Sequence, residues 1–155
     1  MLAGCGFKPL YAERQGTSVT DELALVRIDL IPDRTGQLLH NELLDRVNAR
    51  GRPTEPRFRL VVSLSEATEN LAIRKDDTAT RANLILSADF FLADFESSET
   101  LLAGTLRSVN SYDISSFEFA TVSAEADARR RGARDLAEEI TARLALFLSD
   151  TDTSR

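Results

Sequence analysis

Cysteine, histidine, lysine and tryptophan are scarce in this chain of 155 residues. It has one cysteine (Cys5), one histidine (His40), two lysines (Lys8 and Lys75) and no tryptophan. A single thiol excludes an intrachain disulfide and any cysteine-cluster metal site. A single histidine, placed among the leucines of a helical pattern, gives no support to a histidine-based triad. Gly-rich phosphate loops, metal-ligand clusters and nucleophile elbows are also missing. The adjacent acids Asp76 and Asp77 read as solvated turn residues rather than a carboxylate or calcium site. A non-enzymatic chain without cofactor or metal is therefore expected. No apolar run approaches the roughly 18 to 20 residues needed to cross a bilayer as a helix, so membrane contact is expected through a lipid or a partner. Basic residues are outnumbered as well: 19 Lys and Arg stand against 25 Asp and Glu, for a net charge of -6. That balance argues against a nucleic-acid partner, which needs a basic surface to neutralise phosphates.

What is present begins at the N-terminus. Leu2-Ala3-Gly4-Cys5 has the form of a bacterial lipoprotein cleavage box: small residues fit the peptidase, and the cysteine thiol takes the diacylglycerol. Cys5 is then the expected lipidation site and the first residue of the mature protein. Only Met1 to Gly4 stand upstream, so the basic and apolar parts of the signal are expected in a longer precursor. Gly6 occupies the position where an aspartate would be the usual inner-membrane retention signal, which predicts sorting to the outer membrane. Residues 1–5 are read as the signal remnant, 6–22 as a linker, 23–149 as one domain and 150–155 as a flexible tail. With 43% hydrophobic and 28% charged residues, a folded domain with its own core is expected.

Val26 to Leu30 alternates apolar and charged residues, the pattern of a strand with one buried face. After Pro32, Asp33 is suited to cap a helix whose stripe is Leu39, Leu43 and Val47, ending at Gly51 and Pro53. Phe58, Leu60, Val62 and Leu64 mark a second strand that continues to Ile73 with a bulge or break near residues 66–70. Lys75 to Thr78 is a polar turn. Leu84 to Leu92 forms a third strand, with Phe90 and Phe91 on opposite faces. A fourth runs from Leu101 to about Tyr112, with Leu106 and Val109 on opposite faces. From Ser115 the period becomes helical, with Ser115 and Glu118 at capping-box spacing. One apolar stripe then runs from Val122 through Leu136, Ile140 and Leu144 to Leu148, and Gly132 is the expected place for a bend. The order β-α-β-β-β-α predicts an α+β fold, two helices on one face of a four-stranded, mainly antiparallel sheet. His40 is expected at a surface or boundary position.

Cys5-Gly6-Phe7-Lys8-Pro9-Leu10-Tyr11, Arg34-Thr35-Gly36, Lys75 to Arg81, Ser111-Tyr112-Asp113 and Phe119-Ala120 occur in an order that resembles the LPS-assembly lipoprotein family. The resemblance implies a lipid-anchored outer-membrane subunit on the periplasmic side, partnered with the outer-membrane β-barrel LPS-assembly protein. It further implies that the subunit plugs the barrel lumen and binds lipopolysaccharide. Arg74, Lys75 and Arg81 flank one hairpin and read either as a charged tip that keeps an edge from pairing or as a cationic clamp for phosphates and acidic sugars. Arg107 on the fourth strand is a further candidate. One departure stands out: residues 119–125, where the family can offer another cationic contact, contain no Lys or Arg. The alternative function is a periplasmic lipoprotein adaptor or envelope sensor on a similar scaffold.

Overall fold

The computed structural model describes residues 19–73 and 79–153. The chain forms α1 (Val19–Ala24), β1 (Val26–Ile28), α2 (Asp33–Val47), β2 (Phe58–Ile73), β3 (Ala79–Asp94), β4 (Thr100–Asp113) and α3 (Glu118–Thr153). The sheet order is β1-β2-β3-β4. β1 lies parallel to β2, as a strand-helix-strand crossover through α2 requires, and the other two pairings are antiparallel. The α+β architecture with helices on one face is as expected. The expected break in β2 is a register shift between Asn70 and Ala72, beyond which the pairing with β3 continues to Ile73.

Alternation places Leu84, Leu86, Ala88, Phe90 and Leu92 of β3 under the helices, all buried. Leu136, Ile140 and Leu144 of α3 and Leu39 and Leu43 of α2 meet them in one core. At about 1.5 Å per residue α3 is roughly 54 Å long, and β2 and β3 reach roughly 50 Å, so both ends of the molecule lie far from its middle.

Several local expectations are corrected. Residues 19–22, expected in the linker, belong to α1, which buries Leu23 against the body. Asp33 does not cap α2: the cap position is Pro32, without a side-chain hydrogen bond, and Asp33 takes a left-handed φ of 68°, a conformation aspartate tolerates better than most residues. The capping box at α3 is replaced by an exchange in which the Thr121 hydroxyl accepts from the Ser115 N–H at 2.9 Å and lies 3.2 Å from the Ser115 carbonyl. Gly132 sits inside a helix assigned without interruption; its missing side chain matters for contact, since a Cβ there would stand 2.8 Å from Leu86 Cδ1. His40 is buried, because its Nδ1–H donates to the Asp29 carbonyl at 3.2 Å. The stripe of α3 is buried from Ala128 onward but not at Val122, which is exposed.

Candidate functional site

The sheet has two unlike faces. One carries α2 and α3. On the other, the register sets Val61, Phe91 and Ala103 in one row, Ser63, Asp89 and Thr105 in the next, then Ser65, Ser87 and Arg107, then Ala67, Ile85 and Val109. Among the described residues no helix covers this face. Phe91 is 39% and Val109 49% exposed, and Leu71 is exposed further along β2. A shallow depression of about 510 Å³ lies between Val61, Phe91 and Thr105. The polar rows are held within the sheet: the Thr105 hydroxyl donates to Asp89 at 2.6 Å, and the Ser111 hydroxyl donates to Asn83 at 2.6 Å.

Of the expected site residues, Cys5, Arg74 and Lys75 lie outside the described residues, as does the turn at 75–78. Arg81 is exposed at the root of the hairpin and donates to Asp113 across the strands at 3.1 Å. Arg107 is exposed on the open face, opposite Ser87. Six residues along β3 separate Ser87 from Arg81, about 20 Å at 3.3 Å per residue. Arg107 is therefore not brought together with Arg81; it stands alone in the middle of the open face.

The hairpin end has a second feature that residue counting missed. The Ile114 N–H donates to the Thr80 carbonyl at 3.0 Å, which ties the start of the β4–α3 connection to the hairpin root. Just beyond it, Phe117 is 77% and Phe119 85% exposed, with Val122 one turn on. Two phenylalanines this exposed are unusual for a folded surface. Their sequence signal was the apolar content of 117–122 ahead of the buried stripe.

Behind this end, a polar network fixes α3. Glu66 of β2 accepts from the Thr35 hydroxyl at 2.8 Å and from Arg129 Nε at 2.9 Å, and Arg129 Nη2 also donates to Glu125 at 2.7 Å. Burial alone would raise the Glu66 carboxyl, but the Arg129 and Thr35 hydrogen bonds and the Arg129 charge together hold it below the usual range. The Glu66 hydrogen bond is the main reason the Arg129 guanidinium is raised. Tyr112 is buried beside this network; desolvation and Glu125 push its pKa up, and the nearby Thr68 side chain opposes the shift. A second network joins the Ser108 hydroxyl to Asp135 at 2.9 Å and Asn110 Nδ2 to Ser108 Oγ at 2.8 Å. Among the described residues no group of three or more His, Cys, Asp or Glu side chains is placed to hold a metal ion, and no helix is long and apolar enough to cross a membrane.

The sheet is thus mixed and four-stranded, with α2 and α3 on one face and a bare, partly apolar face opposite. Residues 23–144 match the model of the LptE lipopolysaccharide-assembly family, and the chain belongs to that family. Among solved structures it is similar to a lipoprotein from Caulobacter crescentus CB15, with 25% identity, a TM-score of 0.72 and coverage of 86% of this chain and 96% of the other. It also shares its fold with a minor lipoprotein from Acinetobacter baumannii, at 20% identity and TM-score 0.59 over 78% of this chain and 91% of that one. Lipoprotein B from Nitrosomonas europaea is a third, at 13% identity and TM-score 0.62 over 94% of each chain. No curated protein matches the sequence.

Proposed function

We propose that the chain is an outer-membrane lipoprotein, anchored through Cys5, that sits on the periplasmic side within the lumen of a lipopolysaccharide-assembly β-barrel and binds lipopolysaccharide at its hairpin end. Family membership supports the class of function. The observation that carries the barrel reading is the bare sheet face: both helices pack on the other side, while Phe91, Val109 and Leu71 stay exposed on this one. Apolar side chains in rows on a rigid sheet offer a partner surface area without any rearrangement. At the hairpin end, Arg81 with Arg74 and Lys75 supplies cations suited to phosphate, and Phe117 and Phe119 beside the hairpin root suit an amphiphile that carries acyl chains.

The barrel reading is tested by co-expressing the full-length, lipidated precursor with its barrel and purifying from detergent-solubilised outer membranes. Wild type should carry the barrel, and Phe91→Asp/Val109→Asp should lose most of it while keeping its own circular dichroism spectrum. Full retention of the barrel by a folded variant would remove this face from the interface.

A further inference from the structure

The two edges of the sheet are treated differently. β1 has only three residues, and its outward Val26 carbonyl accepts from Asn48 Nδ2 at 3.1 Å. β4 is a 14-residue strand with nothing paired to its outer side among the described residues. The Ile114 N–H bonds to the Thr80 carbonyl, which makes that pair a hydrogen-bonded one. Antiparallel alternation then turns the N–H and C=O of Leu102, Gly104, Leu106 and Ser108 toward β3 and those of Ala103, Thr105, Arg107 and Val109 outward. Ser111 fits the same alternation, because its outward carbonyl accepts from Arg131 Nη2 at 3.2 Å. From 103 to 109 no such cap is present among the described residues. Natural edges of this length are normally blunted by proline, by several charges or by a covering element. This one has no proline, and between Thr100 and Tyr112 its only charge is Arg107.

We propose that β4 is a strand-addition site and that its occupant is an extended segment of the barrel partner carrying a carboxylate opposite Arg107. The proposal rests on the barrel reading above. Charge selects this occupant. A second copy paired with its two-fold at Arg107 would set two guanidiniums opposite each other, which disfavours that register. An acidic residue there would give Arg107 a partner that the described residues of its own sheet do not. The wall strands of a closed barrel are already paired on both sides, so the added segment has to come from a loop entering the lumen.

Amide hydrogen exchange on wild-type protein, alone and in the purified barrel complex, tests this directly. In the free protein the amides of Gly104, Leu106 and Ser108 should be protected and those of Ala103, Thr105, Arg107 and Val109 should exchange fast. In the complex the second set should slow by about 100-fold or more. Unchanged fast exchange in an intact complex overturns strand addition and leaves the barrel reading standing; absence of a complex sinks the barrel reading itself. Proline supplies the second arm. At Ala103 or Val109 it removes an outward N–H and no ladder bond, so Ala103→Pro and Val109→Pro should fold and should retain at most about one tenth of the barrel, whereas Ala103→Ser and Val109→Ala should retain most of it. Equal retention by the proline and control variants contradicts the proposal. So does a dimer of the isolated protein that protects the outward amides while the barrel does not.

Discussion

Glu66 joins three elements through two hydrogen-bond donors, Thr35 of α2 and Arg129 of α3, and its depressed pKa makes that junction sensitive to acid. A carboxylate lowered in the folded state stabilises the fold above its unfolded value of about 4.3, and that contribution disappears as pH falls through the lower, folded value. Glu66→Gln should therefore lower the urea midpoint at neutral pH, and its difference from wild type should shrink as the pH drops below about 4. A constant difference across that range would mean that Glu66 acts only by shape. Gly132 is a second residue whose role is contact. Alanine is the better helix former by about 1 kcal/mol, but the added Cβ would meet Leu86, which is fully buried, and the Asn110 amide at 3.2 Å. Overpacking costs about 1 to 3 kcal/mol, so Gly132→Ala should lower stability on balance. A raised thermal midpoint would show that Leu86 has room to move.

At the scale of elements, α3 has a buried body and an exposed beginning. Leu144→Ala removes a side chain with no exposure and should cost about 2 to 5 kcal/mol in chemical denaturation. Phe117→Ser/Phe119→Ser should stay within about 0.5 kcal/mol of wild type, since both rings stand in solvent. Periodicity made much of this legible. The period-two run from Leu84 to Leu92 and the four-residue spacing of Leu136, Ile140 and Leu144 each identify the buried face, because burial by a sheet or a helix stripe leaves a local imprint. Val122 continues the same spacing and is exposed, since periodicity marks a stripe but not where along it the packing begins. The missing Asp33 cap, the Ser115–Thr121 exchange and the burial of His40 depend on backbone torsions or on hydrogen-bond partners outside the capping and stripe spacings, and the sequence pattern carries no trace of either.

Across the whole molecule, the hairpin and the exposed phenylalanines share one end, while α1 docks toward the C-terminal half of α3, with Thr20, Leu23 and Thr141 lining one small cleft. α1 and the hairpin root thus lie toward opposite ends of a sheet roughly 50 Å long. The net charge of -6 does not oppose an anionic ligand at the hairpin, because distant charges are screened beyond about 8 Å at physiological salt and contact is set locally. Arg81 already faces Asp113 in an exposed pair, which is worth little and is readily exchanged for a phosphate. The most direct measurement is lipopolysaccharide affinity of the purified domain for wild type, for Arg74→Glu/Lys75→Glu at the hairpin, and for Arg50→Glu/Arg52→Glu at the far end. Binding should weaken about tenfold or more in the hairpin variant alone, the equivalent of one charge-assisted contact of roughly 1.5 to 3 kcal/mol, with all three proteins folded. Equal affinity in wild type and the hairpin variant, or equal loss in both variants, would contradict lipopolysaccharide recognition at this end.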